Sequence, residues 1–159
     1  MKFVILRNFL IKAISSFFFI GYLPLIPGTF GSIAGLGIFY LLNGSSWAGY
    51  FLFVFCIMLL GLLTSGKAEK LLNKKDPGCI VIDEVMGMLI ALSFMPAEIK
   101  LIILGFFIFR ILDTLKPFPA GRLQNMPGAI GVMGDDLIAG IYTNIVLQII
   151  LRLSFFKAV

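Results

Sequence analysis

The chain has 159 residues, enough for one compact domain and hardly for two. It is 60% hydrophobic and only 13% charged, with a mean hydropathy of +1.06, whereas a soluble domain averages about 25% charged residues; an integral membrane protein is expected, with a soluble helical bundle around an unusually greasy core as the alternative. The net charge of +5 comes from basic residues scattered at segment ends, where they meet anionic headgroups, and not from a nucleic-acid-binding patch.

No charged residue occurs between Lys12 and Lys67, a stretch that could supply two spans at roughly 20 apolar residues each. Residues 3–20 mix Arg7 and Lys12 with Phe, Leu and Ile, and the first part suits an interfacial amphipathic helix. This start resembles a signal peptide, but no small-residue cleavage site follows, so a retained N-terminal helix is expected. PLIPGTFG at 24–31 breaks any helix, and a second helix is predicted over Ser32–Leu42. Trp47–Thr64 is the clearest span, with aromatic residues at its first end. Residues 65–78 carry Lys67, Lys70, Lys74 and Lys75 and read as a cytoplasmic loop by the positive-inside rule. Asp76 is the expected N-cap, and Pro77 the first residue, of a helix running to about Phe94. A helix over Glu98–Lys116 follows, then a Gly/Pro-rich loop over 117–134, then a last helix over Asp135–Arg152. The expected fold is all-α: a bundle of about six helices forming a single membrane domain over 1–159.

Five carboxylates stand out against this background: Asp83 and Glu84, Asp113, and Asp135 with Asp136. Each lies inside or beside an apolar run, where a carboxylate costs about 2.5–3.5 kcal/mol and therefore tends to have a partner and a task. Alternation of the spans brings all five to one membrane face, the one that carries the lysine-rich segment. Clustered oxygen ligands without histidine point to a hard divalent cation, Mg²⁺ first. Adjacent helical residues point about 100° apart, so Asp83 and Glu84 fit one ion only if the second reaches around. Arg110, Asp113 and Lys116 share a helix face, which reads either as a plain ion pair with a C-terminal lysine or as a metal ligand flanked by phosphate-binding cations. One of Asp135 and Asp136 is explained by helix capping; the second is not.

PGTFGS at 27–32 is a glycine-bounded turn leading into a helix, a place where backbone N–H groups hold phosphate. It is not a P-loop, since no GKS or GKT follows, and a simple packed turn explains it equally well. Cys56 and Cys79 form no disulfide framework.

PGTFGS at 27–32, DPGCIVIDEVMGM at 76–88, FRILDTLKPFPA at 109–120 and GVMGDDLIAG at 131–140 together resemble the phosphatidylglycerophosphatase A family of bacterial membrane phosphatases. The resemblance implies a helical bundle with one central helix and Mg²⁺-dependent hydrolysis of phosphatidylglycerophosphate to phosphatidylglycerol and phosphate at the inner membrane. It also implies Asp83, Glu84, Asp113, Asp135 and Asp136 as the acidic site and Thr29, Ser32 and Lys116 on the phosphate side. The chain departs from the family pattern at Pro77, where members often carry histidine, and at Ile82, where an aromatic residue is common.

The mechanism expected from these residues is metal-assisted hydrolysis of a phosphomonoester. Lys116, with Arg110 or Arg122, stabilises the transition state, and a remaining carboxylate such as Glu84 serves as base. Asp113 and Asp136 complete the expected catalytic set. Histidine-dependent lipid phosphatases are excluded by composition, and no DxDx[TV] stretch exists for an aspartyl-phosphate. Two rivals stand beside this reading. A CDP-alcohol phosphotransferase needs a DG…AR…G…D…D signature that is not found here. A small cation channel or transporter needs acids along a path, not gathered at one face.

Overall fold

Ten residues, Ile82–Ala91, form the axis of the molecule, and the computed structural model, which describes residues 2–157, wraps the other helices around them. In chain order the helices are α1 (Lys2–Ser15), α2 (Pro27–Leu42), α3 (Trp47–Leu72), α4 (Ile82–Ala91), α5 (Ile99–Leu115), α6 (Ala120–Gln124) and α7 (Ala129–Lys157), with a 3-10 turn at Ile20–Tyr22. There is no strand among the described residues.

α4 is apolar nearly all round, the pattern of a helix enclosed on every side. Val85, Met86, Met88 and Leu89 are fully buried, packed among Tyr50, Val54 and Ile57 of α3, Phe39 of α2, Phe109 of α5 and Leu147 of α7. Glycines bring its neighbours within backbone range, as small residues do between membrane helices. A Cβ placed on Gly35 of α2 would lie 2.8 Å from the Met88 Cβ, and one on Gly87 would lie 2.8 Å from the Asp136 carbonyl oxygen of α7.

At 1.5 Å per residue α4 is about 15 Å long, half of a hydrocarbon core of about 30 Å. Its C-terminal carbonyls therefore end inside the bundle and need donors from other helices. The Tyr50 hydroxyl donates to Leu89 O at 2.6 Å, and the Asn144 amide donates to Ala91 O at 3.1 Å and Ser93 O at 2.6 Å. Ser93 Oγ adds a further bond to Leu89 O at 3.2 Å.

Several boundaries differ from those read off the sequence. α2 begins at Pro27, so PGTFGS is the first part of a helix and not a break before one; proline at N1 fits because its missing N–H is not needed there. α3 continues through the lysine-rich segment to Leu72, carried by good helix formers around the buried Ala68, and stops at Asn73 in the left-handed region. The Asp76 cap is corrected: α4 starts at Ile82 with Val81 as its N-cap residue, while Asp76 has φ 44° and its amide donates to Glu69 Oε1 at 2.8 Å. The 117–134 loop contains α6, and α7 begins at Ala129, so seven α-helices stand among the described residues where about six were expected.

Two helical stretches, Trp47–Leu72 and Ala129–Leu153, are long and apolar enough to cross a membrane. The outer surface is correspondingly greasy. Leu52, Phe55 and Leu63 on α3, Phe107 and Ile111 on α5, and Ile145 and Ile149 on α7 are all exposed.

Candidate active site

The end of the bundle holding the α4 N-terminus also holds the C-termini of α3 and α5 and the N-termini of α2 and α7. A cavity of about 320 Å³ opens there, lined by Asp76, Gly78, Ile80, Asp83, Glu84, Asp113, Thr114, Lys116, Asp135 and Asp136. Six of the chain's eight acidic residues are in that lining. Six carboxylates facing one ammonium in a largely apolar protein require further positive charge.

The α4 end of the cavity is fixed from two directions. The Val81 amide donates to Ser15 O of α1 at 3.0 Å, setting where α4 begins. On the other side α2 comes so close that a Cβ on Gly28 would collide with Glu84 Oε1, and one on Gly31 would sit 2.9 Å from the Val81 Cβ. Asp83 and Glu84 thus occupy the first turn of α4, where the helix dipole favours negative charge. Asp83 Oδ1 accepts from the Glu84 amide at 3.1 Å.

The five sequence-predicted acids divide into two sets. Asp83, Glu84 and Asp136 each offer an oxygen within 4.8 Å of the others'. Adjacent helical residues thus both come within range of one point, together with Asp136 of α7. Asp113 and Asp135 line the same cavity but carry cationic partners. Arg110 Nη1 donates to Asp113 Oδ2 at 2.8 Å, and Lys116 Nζ donates to Asp135 Oδ2 in a close ion pair. Burial works against the Lys116 ammonium, yet the hydrogen bond and charge of Asp135, followed by the charges of Asp113 and Asp136, outweigh it and raise its pKa above the usual 10.5. Lys116 is therefore a fixed cation at the cavity wall.

Three buried carboxylate oxygens, Glu84 Oε2, Asp135 Oδ1 and Asp136 Oδ1, have no hydrogen-bond partner among the described residues. Such atoms are costly unless something electropositive meets them. Two of the three belong to the Asp83–Glu84–Asp136 cluster, so this oxygen-only donor set fits a hard divalent cation.

The remaining candidates are not in the cavity lining. Ser32 is fully buried, donates to Gly28 O at 3.0 Å and accepts from Arg110 Nη1 at 3.5 Å, so it steadies the guanidinium that holds Asp113. Thr29 is half-buried and outside the cavity lining. Arg122 is exposed on α6, with its guanidinium 4.8 Å from the centre of the Phe118 ring. Sequence reasoning passed over Thr114 and took Asp76 for a cap, although its position seven residues before Asp83 in the DPG segment was a usable signal. It also missed that Gly28 and Gly31 let α2 reach Glu84.

The family model for phosphatidylglycerophosphatase A matches residues 13–151. The chain belongs to the phosphatidylglycerophosphatase A family. It is 36% identical over 132 residues to phosphatidylglycerophosphatase A of Escherichia coli (strain K12), covering 82% of this chain and 77% of that protein. It is 36% identical over 124 residues to the Haemophilus influenzae (strain Rd) protein of the same name, covering 76% of each. It is also 32% identical over 151 residues to a Bacteroides thetaiotaomicron protein named "Putative phosphatidylinositol-3-phosphatase", covering 89% of this chain and 94% of that one. No solved structure matches the chain. Membership of this family makes the chain an enzyme, a phosphatase acting on a phosphate monoester.

Proposed function

We propose that the protein is a Mg²⁺-dependent integral membrane phosphatase that removes the terminal phosphate of phosphatidylglycerophosphate at the cytoplasmic face of the inner membrane. The observation that carries this reading is the Asp83, Glu84 and Asp136 cluster within 4.8 Å, in a cavity whose wall holds the Lys116 cation. The names of the Escherichia coli and Haemophilus influenzae relatives supply the headgroup.

Asp83, Glu84 and Asp136 would hold the ion, and Asp113 and Asp135 extend the same acidic wall. When bound, a divalent ion supplies Lewis-acid neutralisation of phosphate charge. The chain's own groups account for the rest. Lys116, held by Asp135, meets the equatorial phosphoryl oxygens as negative charge builds on them. Arg110 is braced by Asp113 and Ser32 at the α5 side, where it adds positive potential for an incoming dianion. A carboxylate of the cluster, Glu84, takes the proton of the attacking water. The water oxygen bonds to phosphorus as the P–O bond to glycerol breaks, and the departing alkoxide takes up the proton removed from the water, giving an alcohol and inorganic phosphate. Thr29 and Arg122, outside the cavity lining, are left to serve the remainder of the headgroup.

Membrane placement is supported by the two spanning-length helices and the apolar outer surface. The side is supported by Lys67, Lys70, Lys74 and Lys75, which cluster at the cavity end of α3. The test is phosphate release from phosphatidylglycerophosphate in mixed micelles, with phosphatidylinositol 3-phosphate as competitor because of the Bacteroides relative. Release that depends on Mg²⁺ and disappears on chelation is expected. Equal turnover in excess chelator, or turnover of the inositol lipid alone, would overturn the reading.

A further inference from the structure

A second cavity, about 560 Å³, lies between α1 and α3 and shares no lining residue with the carboxylate site. Its walls are mainly apolar, yet Arg7, Lys67 and Lys70 also line it and no carboxylate does. All three cations are exposed. The two ion pairs among the described residues use Arg110 and Lys116 instead, and the Arg7 guanidinium reaches only the side-chain oxygen of its neighbour Asn8.

The depth of this groove follows from α3. Trp47 and Lys67 are separated by twenty residues of one helix, about 30 Å and so about one hydrocarbon thickness. With Trp47 at one interface, Lys67 and Lys70 come to headgroup level at the other, while Leu60 and Leu63 fall among the acyl chains. That is the leaflet of the carboxylate cavity.

We propose that this groove binds an anionic phospholipid of the bilayer, its acyl chain against Ile11, Leu60 and Leu63 and its headgroup phosphate on Arg7, Lys67 and Lys70. The proposal rests on the membrane placement inferred above. Unpaired cations beside a lipid-depth apolar trough match a ligand with one charged end and one greasy end. A zwitterionic lipid offers no net negative charge to the three cations and is disfavoured.

The test uses the full chain reconstituted in vesicles of equal phosphatidylserine and phosphatidylcholine; phosphatidylserine is neither the proposed substrate nor its product. After flotation and detergent extraction, retained lipids are counted by native mass spectrometry. The wild type is expected to retain phosphatidylserine over phosphatidylcholine. The R7Q/K67Q/K70Q variant should lower that preference by at least about tenfold while phosphate release continues. Leu63→Trp, which fills the trough without changing charge, should lower phosphatidylserine retention as well. Wild-type preference in the charge variant, or unchanged retention in Leu63→Trp, would overturn the site, the latter in favour of diffuse surface attraction. Equal retention of both lipids by a protein that floats would overturn this site alone. A protein that fails to float would remove the membrane reading and this site together.

Discussion

Replacing Asp136 with asparagine should stabilise the metal-free protein while abolishing its chemistry. Asp83, Glu84 and Asp136 present oxygens within 4.8 Å of one another. Two unit charges at that distance repel by about 3.5 kcal/mol at an effective dielectric of about 20, and by about 0.9 kcal/mol with bulk-water screening. Asp136 takes part in two of the three pairs, so at a pH where all three are ionised its neutralisation relieves between about 2 and 7 kcal/mol. Asp136 Oδ1 accepts no hydrogen bond among the described residues, so little is lost in exchange, and an asparagine amide beside two carboxylates gains acceptors. For a chain of this size even the lower figure raises the melting temperature by about 4 °C or more. The assay is thermal unfolding in detergent with chelator and with millimolar Mg²⁺, alongside phosphate release. The wild type should be the less stable protein in chelator and should gain on adding Mg²⁺; Asp136→Asn should start higher, gain less and release phosphate at least about 100-fold more slowly. If Asp136→Asn melted at or below the wild type in chelator, or turned over normally, the mutual repulsion argued for these three groups would be wrong.

Lys116→Met should lower kcat by about 10²–10³-fold, the range for losing one preorganised transition-state partner, with Lys116→Arg recovering part of it; an unchanged kcat would remove Lys116 from the reaction. Because the folded pKa of Lys116 is raised above 10.5, its ion pair stabilises fully below that pH and is lost only as pH rises through the higher folded value. Wild type and Lys116→Met should therefore differ in stability by a constant amount across neutral pH and converge only above pH 10.5, as read by denaturation at stepped pH. Asn144→Leu removes both bonds from Asn144 to Ala91 O and Ser93 O and should cost about 1–3 kcal/mol in detergent unfolding, leaving the response to chelator the same as in the wild type. Gly35→Leu forces a side chain onto the Met88 Cβ and should destabilise by about 1–3 kcal/mol through overpacking; a neutral result would mean that α2 is not seated on α4 in the way described.

The convergence of the acids was legible because it depends only on counting spans. With Asp83, Asp113 and Asp136 near alternate helix ends, any up-and-down threading brings them together. Their division of labour was not legible. Nothing local marks Asp135 as the residue that Lys116 takes, or Asp136 as the one facing Glu84, since that depends on the rotation of α7, which Gly87 and Gly140 set by close approach. The helix ends were misread where local and tertiary preferences diverge. Lysines at 67–75 look like a solvated loop, yet Ala68, Glu69, Lys70 and Leu71 are strong helix formers and α3 simply runs on through them. The early start expected for α4 relied on Asp76 and Pro77 as a cap pair, but Glu69 takes the Asp76 amide and the chain spends five further residues reaching the Ser15 carbonyl before it coils.

The shortness of α4 also bears on how the protein is made. A ten-residue apolar segment is about half the length that inserts as a span by itself, and its distal carbonyls await Asn144, far downstream in translation. The acidic centre, completed by Asp136 from that same last helix, therefore comes into being only when synthesis is nearly over. Ribosome-stalled fragments ending before α7 should hold no divalent ion at all, whereas the last helix supplied as a separate peptide should restore one.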